Sequence, residues 1–419
     1  MSELHTESKL CRKWRHNYRK STDTKGKKGG GSMSKWKEVK LGDYCEITSS
    51  KRCLASVRSK NGIPFFCSKE IICLDKGEDF EPTDFIPEEL YNDIKAKYGV
   101  PTSGDLLLTT RGTNGIPYIY KPSDKFYFAD GNLSWFKNFG KELSPQYLYY
   151  WFKSPLGIHE VDAISKGTAQ KAVPIDGLRR IVLLTPSLHT QNRIVVILSR
   201  YDLLIKNYQK QIKLLEEAAQ RLYKEWFIDL HFPEHENTII VDGVPEGWTP
   251  SHLGQLAEFK RGKTITKKDV IDGDIPVVAG GLEPAYYCNK SNTAERVITI
   301  SGSGANAGFT RMYFEKVWAS DCSFVDASVT PFLHFVYCFL KNNKTTIDNL
   351  QKGAAQPHVY AKDINSLSIC IPIESVLKSF EEKVSNYFDT TASLQSQLRL
   401  LTEARDRLLP KLTNGEMEI

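Results

Sequence analysis

Long apolar runs are what this sequence most plainly lacks: no stretch of 18 or more apolar residues occurs, which excludes a transmembrane helix. The first residues also lack the apolar core of a secretory signal, which agrees with a chain that stays inside the cell. Its nine cysteines, at positions 11, 45, 53, 67, 73, 288, 322, 338 and 370, form no C-x-x-C pair and have no histidine partners at zinc-finger spacing. They read as reduced thiols, without a disulfide frame or a metal site. His231 and His235 are four apart but flank Pro233 in a polar linker, so they too read as no metal site. Missing as well are an Asn/Asp-Pro-Pro-aromatic motif, an S-adenosylmethionine glycine loop, a Walker A motif and a clustered carboxylate–lysine signature. Nothing therefore points to catalysis by this chain. At 419 residues, with 41% hydrophobic and 25% charged positions, it is long enough for two or three domains that each bury a core.

A bulk positive charge is missing too. The net charge of +6 belongs to residues 1–32, which hold nine Lys/Arg against three Asp/Glu, and the remainder balances at 47 against 47. That segment is polar and aperiodic and ends in a Gly-Gly-Gly-Ser tract before Met33. It reads as disordered, either a basic nucleic-acid arm or an appended leader with Met33 as the natural start. Any nucleic-acid affinity of the body must come from local patches.

What the sequence does have is an internal repeat with two offsets. At a shift of 212, Trp36, Leu41, Gly42, Glu46, Ile63 and Pro64 fall on Trp248, Leu253, Gly254, Glu258, Ile275 and Pro276. At a shift of 186, the segment 166–170 (Lys-Gly-Thr-Ala-Gln) falls on 352–356 (Lys-Gly-Ala-Ala-Gln), Val173 on Val359, and Pro186 on Pro372. The halves thus differ by 26 residues inserted in the middle of the first, the difference of the two shifts.

Each half closes on a heptad pattern. The first seam is Ile194, Leu198, Tyr201, Ile205, Tyr208, Ile212, Leu215, Ala219, Leu222 and Trp226. The second is Phe380, Val384, Tyr387, Thr391, Leu394, Leu398, Leu401 and Leu408, with Arg405 as its one charged position and Pro410 as its expected end. A helix of about 40 residues is about 60 Å long and cannot hide in one domain, so the two helices are expected to pack on each other, antiparallel. The globular parts read as α+β or α/β, with strand-like segments at 105–110 and 296–300 and a helical one at 145–153.

Gly302, Gly304 and Ala307 fit G-x-G-x-x-A, but residues 308–314 continue as a strand, so the dinucleotide-binding context fails. The matching place in the first half is also a Gly-rich turn, with Arg111 and Asn114 expected exposed at its tip. Such loops suit DNA contact, since small residues admit phosphates and Asn and Arg pair with base edges; a plain hairpin with no ligand fits them as well. Candidate DNA contacts are Lys51, Arg52, Arg111, Thr113, Asn114, Lys166, Gln170 and Lys171 in the first half. In the second they are Lys260, Arg261, Lys263, Ser303, Asn306, Lys352, Gln356 and His358. The Lys-Gly-x-Ala-Gln turns also admit a reading in which Gln satisfies only backbone groups.

The arrangement resembles the specificity subunits of type I restriction-modification systems, over about residues 36–412. The resemblance is carried by the repeated Trp-x4-Leu-Gly openings, the Pro245-Glu246-Gly247-Trp248 phrase and the duplicated Lys-Gly-x-Ala-Gln. It rests also on the Leu184-Thr185-Pro186 and Ile371-Pro372 strands and on the helix phrases at 191–194 and 214–223. It implies an α+β fold with two target-recognition domains related by pseudo-two-fold symmetry and separated by two long antiparallel coiled-coil helices. The corresponding divisions are 1–32 leader, 33–185 first domain, 186–232 central helix, 233–247 linker, 248–372 second domain, 373–412 C-terminal helix and 413–419 tail. Function follows as reading a bipartite double-stranded DNA target, with a spacer set by helix length. The chain would be a non-catalytic subunit in a prokaryotic cytoplasm, docking two methyltransferase subunits and, through the complex, restriction subunits. No cofactor is expected on this chain; S-adenosylmethionine, ATP and Mg²⁺ belong to the partners. In the second helix Leu377-Lys378-Ser379 replaces Gln191-Asn192-Arg193, so the second methyltransferase contact is expected to differ in detail. A divergent methyltransferase or nuclease, and a protein-only coiled-coil scaffold, are the competing classes.

Overall fold

The computed structural model describes residues 36–419 except 168–170, 267, 269 and 354–355. The basic leader 1–32 and Gln170 therefore lie outside the described residues. Two compact units result: one holds the chain up to Lys206 together with Arg399–Ile419, the other Asn207–Leu398.

Along the first unit run β1 (Lys37–Lys40), β2 (Glu46–Thr48), β3 (Ile63–Phe66), β4 (Phe85–Ile86), β5 (Leu106–Thr109), β6 (Pro117–Ile119), β7 (Tyr127–Phe128), β8 (Leu133–Lys137) and β9 (Val182–Thr185). They form a β1-β9 pair, a four-stranded sheet β2-β8-β5-β6 and a three-stranded sheet β4-β3-β7 in which β3 and β7 are parallel. The central strand β5, Leu-Leu-Leu-Thr, is buried throughout because both of its faces are covered. Leu106 and Leu108 pack with Tyr147, Trp151 and Phe152 of helix α1 (Pro145–Lys153), while Leu107 packs with Phe66, Phe128 and Trp135 on the opposite face. Helix α1 starts where Ser144 caps the Tyr147 N–H ahead of Pro145, and α2 (Pro155–Ile164) where Ser154 caps the Gly157 N–H ahead of Pro155. A capping hydroxyl followed by proline at the first helical position is the expected start signal.

The second unit holds β10 (Ile240–Val241), β11 (Val244–Pro245), β12 (Thr249–His252), β13 (Lys260–Arg261), β14 (Ile275–Val278), β15 (Tyr286–Cys288), β16 (Val297–Ser301), β17 (Thr310–Tyr313), β18 (Trp318–Ala319), β19 (Cys322–Asp326) and β20 (Ser368–Ile371). Its sheets run β12-β20, β13-β19-β16-β17 and β15-β14-β18, the last with β14 and β18 parallel. Strand for strand this repeats the first unit. Ile298 and Ile300 of β16 face the helix side, where Phe335 and Val336 lie, and Val297 faces Val278 and Val317. Two differences stand out. Helices Ser68–Lys76 and Glu88–Tyr98 lie between β3 and β5 and have no counterpart between β14 and β16, and the hairpin β10–β11 has none among the described residues of the first unit.

Beyond α1 and α2 the helices that matter here are α3 (Leu188–Phe227), α4 (Leu333–Asn342) and α5 (Glu374–Thr413). In the first unit the early part of α3 lies beside the late part of α5, with Arg405 Nη1 3.0 Å from Asp202 Oδ1. In the second the late part of α3 meets the early part of α5, where Trp226 and Phe227 pack on Phe380 at ring distances of 5.8 and 5.0 Å. The order is antiparallel in both. Ile194, Leu198, Ile205, Ala219, Trp226, Phe380, Val384, Thr391 and Leu394 are buried, and Tyr201, Tyr208, Ile212, Leu215, Leu222, Tyr387, Leu398, Leu401 and Leu408 half-buried. Near the helix ends Tyr223, Phe388 and Leu409 are buried beside Leu222, Tyr387 and Leu408, because there the helix covers its own unit's core as well. The charged seam position Arg405 is neutralised by Asp202, which also accepts the Tyr150 hydroxyl at 2.7 Å.

Pro410 does not end α5, contrary to the sequence expectation: the helix continues to Thr413. The proline removes one donor, facing the exposed Asp406 turn, where water can satisfy the carbonyl. Burial of Leu409 and Leu412 in the first unit's core, and the Thr413 hydroxyl donating to the Leu409 carbonyl at 2.8 Å, hold the last turn. No helix of the described residues is long and apolar enough to cross a membrane.

Candidate nucleic-acid interface

In the first unit the β5–β6 turn, residues 110–116, is fixed from below. Thr109 Oγ1 donates to the Thr113 carbonyl at 2.7 Å and accepts the Ile116 N–H at 2.9 Å. Residues 166–172 lie against this turn: Ala172 bridges both Arg111 and Lys166, and the Val173 N–H donates to the Thr110 carbonyl at 3.0 Å. A third segment, 129–132, closes the cluster. The Asn132 carbonyl accepts the Thr110 N–H at 2.8 Å, and Asp130 stands 3.9 Å from Arg52. The Lys51 N–H donates to the Tyr127 hydroxyl at 2.6 Å, a phenol whose pKa burial pushes up to about 12 and which stays protonated. Two pairs of residues distant in sequence, Lys51/Arg52 with Arg111–Asn114 and these with Lys166/Lys171, thus meet on one surface.

The second unit builds the same cluster from the same backbone bonds. The turn after β16 lies against residues 352–358, with His358 bridging both Ser303 and Lys352 and the Val359 N–H donating to the Gly302 carbonyl at 3.1 Å. Asp321 takes the place of the 129–132 segment: its carbonyl accepts the Gly302 N–H at 3.1 Å, its carboxylate accepts the Ser303 hydroxyl, and Arg261 stands 3.9 Å away. The Gly262 N–H donates to the Cys322 carbonyl at 2.8 Å and the Lys263 N–H to the Ala319 carbonyl at 2.9 Å. Gly167 and Gly353 share a φ of +102°, a conformation that glycine alone adopts readily, and a Cβ on Gly353 would stand 2.7 Å from the Gln356 carbonyl. That is why both turns repeat Lys-Gly.

The charged groups fall into two sets. Arg111, Lys166, Lys260 and Lys263 are exposed and make no ion pair among the described residues, and Lys51 sits 4.9 Å over the Tyr98 ring. Lys171 and Lys352 are tied to Asp162 and Asp363 at 2.7 and 2.8 Å. Unpaired cations meet a phosphate without first breaking a bond, so the first set is the more available. Gln356 is exposed, and the half-buried His358 stacks on Tyr360 at 6.0 Å. Asn114, expected exposed at the loop tip, is half-buried because its amide donates to the Lys171 carbonyl at 3.2 Å. Asn306 likewise turns in to the Gly280 carbonyl at 3.4 Å. Beside Asn306 an open cleft of about 480 Å³ is bordered by Phe309, Lys341 and Lys344.

Thiol chemistry is disfavoured at these surfaces: burial pushes the Cys322 pKa up to about 12, and burial followed by the nearby Asp130 raises Cys53. The eight described cysteines are free. No cluster of three or more His, Cys, Asp or Glu is arranged to hold a metal among the described residues.

A family model described as the type I restriction modification DNA specificity domain matches residues 33–217 and 245–401, the two stretches that carry the duplicated fold. The chain belongs to that family. This specificity subunit is 27% identical over 299 residues to the type I restriction enzyme MjaIX specificity subunit of Methanocaldococcus jannaschii, covering 65% of this chain and 69% of that one. It is 22% identical to the type I restriction enzyme HindI specificity subunit of Haemophilus influenzae, over 92% of this chain and 100% of that one. A crystal structure of a type I restriction-modification S subunit from M. genitalium superposes with a TM-score of 0.58 at 16% identity, covering 92% and 98% of the two chains. That likeness is one of fold.

Sequence reading of the specificity subunit missed the residues that join its loops: Ser68, Asp130, Asn132 and Asp321. The Ser68 hydroxyl reaches the carbonyls of both Arg111 and Asn132, at 2.9 and 3.1 Å. Ser68 left no signal, since its helix exists in one copy only. Nor did Asn132 leave one, but Asp130 and Asp321 did: Ala129-Asp130 and Ala319-Ser320-Asp321 repeat at shifts of 190 and 191, between the two offsets that the longer matches fix.

Proposed function

We propose that this specificity subunit reads a bipartite double-stranded DNA target, one unit per half-site, and presents its long helices to two methyltransferase subunits. Restriction subunits join through that complex. The carrying observation is the double construction: one loop cluster, held by one hydrogen-bond order, is built on each of two units. Two readers multiply their discrimination, since each mismatched base pair costs about 1–3 kcal/mol. Lys51, Arg52, Arg111, Thr113, Lys166 and Lys171 form the first reading surface, and Lys260, Arg261, Lys263, Ser303, Lys352, Gln356 and His358 the second. Asn114 and Asn306 hold the loops in shape. The chemistry, with S-adenosylmethionine, ATP and Mg²⁺, resides on the partners.

The test is to co-express the chain with its methyltransferase subunit in a methylation-free host and map N6-methyladenine at single-base resolution. A bipartite motif with a fixed gap is expected; a single contiguous motif would break the two-reader account. At residue level, Arg111→Ala is expected to cost about 1–3 kcal/mol and to relax one base position in one half-site. Lys166→Ala is expected to weaken binding evenly across sequences and to lower the slope of log affinity against log salt by about one. Salt titrations of the complex on matched and mismatched duplexes separate the two.

A further inference from the structure

We propose that the hairpin β10–β11 is a docking surface for an apolar, basic-rimmed face of a methyltransferase subunit, an inference that rests on the functional reading above and adds a site to it. In an ordinary half-buried strand alternate side chains turn inward. Here Ile239, Ile240 and Val241 are 63%, 46% and 62% exposed, so both faces of the strand meet water. The display is built, not frayed. The partner strand β11 anchors it, with Pro245 buried and Val244 packed on the second unit's core. The Glu246 N–H donates to the Ile239 carbonyl at 2.8 Å. Asp242 and Gly243, with φ of +52° and +78°, make the tight left-handed turn that suits a two-residue hairpin. Ile228, at 50% exposure just past the end of α3, adds a further exposed aliphatic side chain in the same unit.

Charge decides the occupant. Residues 225–259 hold seven Asp/Glu and no Lys or Arg, although the chain as a whole is basic. Glu234, Glu236, Asp242 and Glu246 are exposed and form no ion pair among the described residues. An acidic rim repels DNA phosphates and the anionic face of a membrane alike. It also opposes a symmetric dimer, which would set the same acidic patch against itself. What it attracts is a different protein chain with Lys/Arg around an apolar centre, and the hairpin is the first strand pair along the chain after α3, one of the helices proposed to carry the methyltransferase subunits.

Both the crosslink and the affinity are read on full-length chain with its methyltransferase subunit. With a photo-crosslinking amino acid at Val241, the expected crosslink is to the methyltransferase subunit, at a segment where Lys or Arg flanks apolar residues. Crosslinks in the assembled complex that go only to a second copy, to DNA, to the restriction subunit or nowhere overturn the proposal. The double variant Ile239→Ser/Val241→Ser, at exposed positions that leave the core intact, is expected to bind the methyltransferase subunit at least tenfold more weakly at fixed salt. Asp242→Lys/Glu246→Lys is expected to do the same and to flatten the salt dependence of assembly. Unchanged affinity in both variants overturns the proposal. Reading of DNA is scored separately by the methylation map, so a complex with no bipartite motif but a Val241 crosslink to the methyltransferase subunit would keep this surface and remove only the DNA reading.

Discussion

Gln191→Leu is expected to destabilise the first unit by about 3–5 kcal/mol, as a fall in the unfolding midpoint of the purified chain. Gln191 is fully buried at the first turn of α3. Its carbonyl oxygen accepts the Ser144 N–H at 2.9 Å, and its amide donates to the Glu142 carbonyl at 2.8 Å and the Pro186 carbonyl at 2.9 Å. One side chain thereby ties the long helix to the loop that starts α1 and to the end of β9. Leucine fills a similar volume but leaves one donor and two acceptors without partners, and each such buried group costs about 1–3 kcal/mol. Against a total stability of about 5–15 kcal/mol this is a large fraction. Asn192→Ala, at the exposed neighbour, is the control and is expected to change stability by less than about 0.5 kcal/mol. A drop of under 1 kcal/mol in Gln191→Leu would falsify the clamp.

Legibility in the sequence followed what each copy needs twice. Gly167 and Gly353, Val173 and Val359, and the Trp-x4-Leu-Gly openings recur because the same turns and strand starts must form in both units, and a repeat search sees them. The heptads showed through because a seam constrains every third or fourth residue. Contacts carried by backbone atoms did not show. Arg111 meets Ala172, and Thr110 meets Asn132, through N–H and carbonyl groups that any residue supplies. The inward turn of Asn114 depends on the Lys171 carbonyl 57 residues away in sequence, which no local pattern encodes. Pro410 misled for the opposite reason: its local rule is sound, but tertiary burial of Leu409 and Leu412 outweighs one lost hydrogen bond. The two helices inserted into the first unit were visible only as a length difference, since a single copy has nothing to be compared with.

Gly262→Val is expected to erase the definition of one half-site while sparing the other. A Cβ at Gly262 would stand 2.3 Å from the Ser320 carbonyl oxygen and 2.6 Å from that of Ala319. Neither oxygen can yield alone. The Ser320 N–H is bonded to Val278 at 2.8 Å, and the Ala319 carbonyl accepts from both Lys263 and Asn292 at 2.9 Å. The segment 260–263 must therefore lift, which breaks the Gly262–Cys322 and Lys263–Ala319 bonds and carries Arg261 away from Asp321. Overpacking of this kind costs about 1–3 kcal/mol, so the second unit still folds, but Arg261 no longer stands beside Asp321 and the Ser303 turn that Asp321 holds. In the methylation map the motif is expected to keep one half intact and to lose base preference in the other, with binding of the target duplex weakened at least tenfold. The first unit shares no part of this cluster, so an unaltered bipartite motif would mean that the 260–263 segment does not read DNA, and equal loss in both halves would mean that the two units do not read independently.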